Sequence, residues 1–263
     1  MSNSPSGRPW PDGVGRTDLD EIDSTNAEAL RRAAAGERGP LWILARRQTA
    51  ARGRRGRAWA TPPGNLAASL LLTLDGDPAG MAQHSFAAAL GLVEALDAIT
   101  GQPEFFRLKW PNDVLLSGAK LAGILLEAQG PALVIGFGVN LAAVPPAAAL
   151  ETGAVRPVAL ATATGVAVAP DAFLTELAPA VADWVARLRI EGFAPVRAAW
   201  LARARGIGQP VVARLPGRVV TGTFETIDAT GAIVLATPAG PVVLPAADVH
   251  FSDEDRGADA PRG

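Results

Sequence analysis

Two stretches of this chain concentrate side chains that can do chemistry. Between Arg46 and Arg57 stand six arginines, with Gly53 and Gly56 among them and Trp59 just beyond. A guanidinium presents a planar fork of donors that matches carboxylate or phosphate oxygens two at a time, and glycine lets a backbone bend closely around an anion. No apolar face runs through the stretch, so it reads as a loop suited to binding anions. A solvated basic loop or a nucleic-acid patch has the same composition, and arginine density alone does not choose among them.

The second stretch, Leu108 to Glu127, sets Lys109, Asn112, Asp113 and Lys120 among β-prone apolar residues. Ser117-Gly118 predicts a turn, and the hairpin it closes brings these polar groups to one pocket. An ordinary hairpin with an exposed lysine accounts for a lone lysine but not for the whole string.

Composition removes other chemistries. The 263-residue chain has no cysteine, which excludes disulfides, zinc–thiolate sites and thiolate or thioester catalysis. His84 and His250, the two histidines, sit in no recognisable motif, which leaves a His-rich metal site or a serine triad without parts. A net charge of −2 and the absence of tyrosine argue against a nucleic-acid-binding module built on the basic loop. No apolar run is long enough to span a bilayer, and the N-terminus lacks the charged-then-apolar order of a signal peptide, so the expected compartment is the cytoplasm.

The surrounding elements must hold both stretches in place. Residues 1–17 and 252–263 read as disordered tails. Between them, Leu19 to Ile22 predicts a strand, and a helix follows with Thr25 and Glu28 as a capping box. Trp42 to Ala45 and Leu66 to Leu74 predict strands on either side of the arginine loop, and Met81 to Ile99 a helix. Three short strand patterns follow, ending near Asn140. The Ala/Pro-rich stretch 142–169 reads as loops with a short helix, Asp171 to Ile190 as an amphipathic helix, and Val196 to Ala204 as a shorter one. After Gly206 the period changes to short β runs at Val211–Leu215, Gly222–Ile227, Ala232–Ala236 and Val242–Leu244, a small all-β barrel. The division is thus a catalytic domain over 18–205 and a β-barrel domain over 206–251, with 49% hydrophobic residues to build the cores.

Taken together, Asp23 to Asn26, Gln48, the Arg52 to Arg57 loop with Trp59, the strings Lys109 to Asp113 and Lys120 to Leu125, and Gly136 to Asn140 resemble the biotin–protein ligase family, in the family's order. The likeness runs from about Leu19 to Phe251. One departure is Ala51, where the family usually has glycine. The resemblance implies an α+β fold: a mixed, largely antiparallel sheet with flanking helices, similar to the core of class II aminoacyl-tRNA synthetases, plus a small C-terminal SH3-like barrel that helps with ATP or the acceptor.

It also implies roles. Ser24, Thr25, Asn26 and Gln48 would hydrogen-bond biotin, with Gly123 leaving room for its rings. Arg52, Gly53 and Arg54 would close over biotin and the nucleotide phosphates, and Lys120 would contact the biotin carboxylate and the α-phosphate. Arg52, Arg54 and Lys120 are therefore the catalytic candidates. Arg54, Arg57, Trp59, Lys109, Asn112 and Asn140 would bind ATP, and Asp113 would order Mg²⁺ or its waters. The implied partner is a biotin carboxyl carrier protein or domain, and neither nucleic acid nor membrane; a homodimer is left open. Some members of the family carry an N-terminal winged helix. Too few residues precede Leu19 for one, so ligase activity without operator binding is the expectation. A lipoate or octanoate protein ligase is the alternative within the same fold.

Overall fold

The computed structural model describes residues 8–74, 78–146 and 155–251. Residues 1–7 and the expected tail 252–263 lie outside the described residues. Seven strands form one sheet: β1 (Gly15–Ile22), β2 (Leu41–Gln48), β3 (Leu66–Thr73), β4 (Phe106–Lys109), β5 (Asp113–Leu116), β6 (Ala119–Gln129) and β7 (Ala132–Val139). Their order is β1-β2-β3-β7-β6-β5-β4. Only β1 and β2 run parallel, because the helix between them, α1 (Thr25–Ala34), carries the chain back to the end where β1 began.

The N-terminal tail is shorter than its composition suggested. Gly15, Arg16 and Thr17 belong to β1, and Trp10 packs against the core while its Nε1 donates to the Val14 carbonyl at 2.8 Å. As an edge strand with much of its length exposed, the start of β1 carries no apolar alternation by which it could be read.

Four more helices follow: α2 (Pro78–Thr100), α3 (Leu160–Thr164), α4 (Pro170–Glu191) and α5 (Phe193–Arg203). Among the described residues no helix is long and apolar enough to cross a membrane. Strand alternation decides which face each helix covers. Trp42 and Leu44 of β2, Leu66, Ala68 and Leu70 of β3, and Leu133, Ile135 and Phe137 of β7 join the main core with residues of α2, α4 and α5. Ile43, Leu71 and Val134, one position out of phase, pack beneath α1 around Ala29. Further along these strands the face under α1 carries Ser69, Gly136 and Gly138, and that uncovered floor is where the site forms.

Helix α1 starts one residue earlier than the capping-box reading placed it. Ser24 is the N-cap and its hydroxyl accepts from the Ala27 amide. Both Ser24 and Thr25 are good caps by type, so the sequence could not separate them. Glu28, displaced from the box, pairs instead with Arg31 and Arg32. Beside the cap, hydrogen bonds from Arg31 and the Ser24 amide hold the Asp23 carboxyl at about 2, below its ordinary 3.8. A depressed carboxylate stabilises the fold above its unfolded pKa, and this contribution disappears as the pH falls from about 4 towards about 2. Asp23→Asn should therefore flatten that part of an acid-unfolding profile. The change should be small, of the order of 0.5 kcal/mol, because the Asp23 side chain is 46% exposed and water screens the pair. An unchanged acid slope would contradict it.

Strands β8 (Pro210–Leu215), β9 (Arg218–Ile227), β10 (Ile233–Thr237), β11 (Gly240–Leu244) and β12 (Asp248–Phe251) make a second, antiparallel sheet in the order β11-β10-β9-β8-β12. The four residues of β12 alternate polar and apolar, the shortest run by which a strand can be marked. This sheet is fastened to the larger domain: Trp110 Nε1 donates to the Gly231 carbonyl at 3.0 Å, and Phe251 lies beneath the Lys109 ammonium and the Arg205 guanidinium.

Candidate functional site

The larger sheet builds the floor from a row of small residues. In register across it stand Ala67, Gly138, Gly123 and Asp113, with Lys109 opposite Asp113. A neighbouring row holds Ser69, Gly136 and Leu125. Glycine here is a matter of space. A Cβ on Gly138 would meet the Trp59 indole at 2.5 Å, and one on Gly136 would meet Asn26 Oδ1 at 2.3 Å. Trp59 thus lies in the trough over Gly138 and Gly123. The room expected at Gly123 for a ligand ring is taken by this indole, 3.4 Å from where a Cβ would stand.

Lys120 reaches the cavity because β6 is irregular. Lys120 and Gly123, three apart, would face opposite sides of an ideal strand. The register against β5 shifts between Val114 and Leu115, and this bulge turns Leu121 into the core while Lys120 shares the cavity with Gly123. Its backbone is held by residues 156–158: the Lys120 amide donates to the Arg156 carbonyl, and the Val158 amide to that of Lys120. The turn that brings β5 to β6 has φ of 49° at Ser117 and 87° at Gly118, the double left-handed geometry of a tight two-residue hairpin.

At one end, α1 and β2 supply a buried polar cluster. Gln48 Oε1 accepts from the Thr25 amide at 2.8 Å and from its hydroxyl at 3.2 Å. The Ser69 hydroxyl lies 2.6 Å from Asn26 Oδ1 and 2.7 Å from Thr25 Oγ1; with one proton it can donate to one of them at a time. Asn26 Nδ2 donates to Glu127 at 2.8 Å, and the other Glu127 oxygen is 3.3 Å from Arg52. One carboxylate therefore joins the amide at the base of the cavity to the arginine loop. Ser69 and Glu127 had no role assigned from sequence. A serine in an otherwise apolar strand was the available signal, since a buried hydroxyl needs a partner.

The cavity between these groups has a volume of ≈ 350 Å³, within the range of small-molecule sites. It brings together the biotin-side candidates Thr25, Asn26, Gln48, Arg52, Gly53 and Gly123. Arg54, Arg57, Trp59, Lys109, Asn112 and Asn140 line it too, with Asp113 and Lys120. Ser24 is the exception. It is buried, lies outside the lining and caps α1 as an acceptor, which orders the neighbouring Thr25 and Asn26 and leaves its own proton to donate.

The polar groups differ in what they have left to offer. Lys120 Nζ is 2.7 Å from Asp113 Oδ1 and 5.5 Å from the Trp59 ring centre; the same buried Oδ1 lacks a hydrogen-bond partner of good angle. Asn112 spends one of its two amide N–H donors on the Ile124 carbonyl at 2.7 Å, leaving the other and its oxygen. Asn140 is held from behind by Asn65, whose Oδ1 also accepts from the Ala142 and Ala143 amides.

The arginine loop is a compact hairpin closed by a bridge between Arg52 and Ala58, with a 3₁₀ turn over Arg54–Gly56. Arg55 and Arg57 both pair with Asp248 of β12, at 2.6 and 2.9 Å. Arg54 has no ion-pair or hydrogen-bond partner among the described residues. Burial pushes its guanidinium below its ordinary value, with Asp248 pulling the other way, yet an arginine stays charged at neutral pH. Ala51 does not have positive φ, so the departure from glycine there introduces no backbone strain.

Comparison with known proteins agrees with this geometry. Residues 20–140 match the biotin/lipoate A/B protein ligase family, and residues 206–252 match the biotin protein ligase C terminal domain. A biotin–[acetyl-CoA-carboxylase] ligase of Paracoccus denitrificans is 51% identical over 238 residues, 89% of this chain and 99% of the relative. One from Mycobacterium tuberculosis is 34% identical, with 90% of each chain covered. Among solved structures, a biotin protein ligase from Aquifex aeolicus in complex with biotin and ATP superposes with a TM-score of 0.77 at 26% identity, covering 90% of this chain and 99% of that one.

Proposed function

The chain belongs to the biotin–protein ligase family, and from that membership we propose that it joins biotin to ATP as biotinyl-5′-AMP and then transfers biotin to a lysine of a carboxyl carrier domain. The observation that carries this reading is the convergence on one cavity of a neutral polar cluster and a cationic end. Thr25, Asn26 and Gln48 offer the alternating donors and acceptors that a ureido ring needs, and Lys120, Arg52 and Arg54 face the place where two anions must meet.

In the first step the biotin carboxylate attacks the α-phosphate and pyrophosphate leaves. In the second the acceptor amine attacks the mixed anhydride and AMP leaves. Neither step needs a protein nucleophile, which suits a chain without cysteine. The side chains contribute position and charge: Lys120 compensates the charge that develops on the α-phosphate oxygens, and Trp59 offers a face to the adenine while Asn112 and Asn140 lie beside it.

Asp113, a carboxylate on the cavity wall paired to Lys120, would help order Mg²⁺ or its waters. Among the described residues no group of three or more His, Asp or Glu could hold a metal, so the ion would be held chiefly by the phosphates and would offset their charge. On this reading the reaction belongs in a compartment that supplies ATP, and we propose the cytoplasm. The basic loop is poorly suited to coating nucleic acid, since Arg52, Arg55 and Arg57 are each paired to a carboxylate.

Incubation with biotin, ATP and a purified carboxyl carrier domain tests this: the carrier should gain one biotin, and an unmodified carrier would contradict it. Arg54, with its charge unspent, should also retain the adenylate. Arg54→Gly is expected to raise the biotinyl-AMP found free in solution by about tenfold, measured by chromatography in the absence of acceptor. No rise would remove that role.

A further inference from the structure

We propose that Asp248, on the C-terminal sheet, is the anchor of the arginine loop: a positioning residue for adenylation that acts through Arg55 and Arg57. The proposal rests on the reading above that the loop closes over the adenylate. Asp248 opens β12 and is 17% exposed. Its Oδ2 takes Arg55 at 2.6 Å and Arg57 at 2.9 Å, across more than 190 residues of sequence.

The loop needs such an anchor. Gly53 and Gly56 flank its turn, and Arg55 between them has φ 57° and ψ 27°, a left-handed conformation that residues other than glycine seldom adopt. A free loop of this composition would sample many backbone states. The ion pair selects one in which Arg55 is turned out of the cavity, and indeed Arg55 is absent from its lining while Arg54 and Arg57 are present. The consequence is a division of labour. Arg55 and Asp248 fix the turn, and Arg54 is left facing the cavity with no partner of its own. Arg57, which touches both the cavity and Asp248, ties substrate occupancy to the anchor. This gives the C-terminal sheet a part in the reaction: Asp248 borders the cavity, and its Oδ2 is engaged by Arg55 and Arg57.

Because Arg55 does not line the cavity, its replacement isolates the anchor. Asp248→Asn and Arg55→Ala should each raise the release of biotinyl-AMP by about fivefold, and the double variant should show the same fivefold rather than the product. Asp248→Glu should restore most of the wild-type retention. Arg55→Ala behaving as wild type, or the two effects multiplying, would overturn the proposal. Trypsin cleavage within residues 52–57 supplies a readout on the unliganded protein: Asp248→Asn should be cut several-fold faster than wild type, and equal rates would overturn the anchor whether or not the protein is active. Should wild type fail to form biotinyl-AMP, the functional reading falls while the trypsin result still decides the anchor. If Asp248→Asn does not fold, Arg55→Ala and Asp248→Glu carry the test.

Discussion

Lys120→Gln should lower the rate of biotin-dependent ATP–pyrophosphate exchange by about a thousandfold, the scale of losing one preorganised charge at a reacting centre. The side chain has no packing role that would confuse the result. It is 27% exposed, touching Asp113 and the face of Trp59, while the β6 bulge that aims it is made by the backbone and by buried Leu121. Glutamine, one bond shorter, keeps an unbranched stem and a donor but no charge. Asp113 would then lack its counter-charge, so the variant should melt slightly lower. Lys120→Gln with Asp113→Asn should recover that stability without recovering rate. A loss confined to KM for biotin, with kcat intact, would mean that Lys120 only binds the ground state.

Gly136→Ala should abolish biotin binding measurable by calorimetry and cost about 1–3 kcal/mol of stability. The new methyl would stand 2.3 Å from Asn26 Oδ1 and 2.9 Å from its Cγ. Asn26 cannot yield cheaply: it is 4% exposed and bound to Ser69 and Glu127, so any retreat breaks buried hydrogen bonds. Gly123→Ala is the matched control. There the methyl meets Trp59 at 3.4 Å, and a partly exposed indole at the end of a loop can move by tenths of an ångström. Binding should fall in the order wild type, Gly123→Ala, Gly136→Ala. Equal losses at both positions would show that the floor is not shaped by Asn26.

Both variants fall in stretches whose chemistry was legible in the sequence, and the reasons for what was not are physical. The two strings read from residue type, the arginine loop and Lys109 to Glu127, do converge on one cavity, and Ser117-Gly118 makes the turn expected of it. A local string says nothing of what arrives from elsewhere, however. Asp248 reaches the loop from a four-residue strand more than 190 residues away, and Ser69 meets Asn26 only once α1 has packed over β3. The bulge that aims Lys120 is likewise a product of pairing: spacing alone would have put Lys120 and Gly123 on opposite faces. Ser24 shows the converse. Its type and neighbours suited a ligand contact, and the structure adds a second duty that the sequence did not separate from Thr25, the cap of α1, through which its oxygen accepts from the Ala27 amide. The row of glycines across β6 and β7 could have been found earlier, since alternate positions 136 and 138 share a face with 123 once the strands are aligned.

The distinction that matters most is which acid the cavity activates. The cluster of buried Thr25, Asn26 and Ser69 with half-buried Gln48 offers paired donors and acceptors, whereas an alkyl-chain acid such as lipoate or octanoate would leave those groups desolvated and unpaired. Loss of such pairing discriminates by orders of magnitude. Pyrophosphate exchange into ATP, run with biotin, lipoate and octanoate in parallel on the purified chain, is therefore the direct test. Exchange should depend on biotin and remain at background with the other two, and exchange driven by lipoate or octanoate instead, or by none of the three, would contradict the assignment.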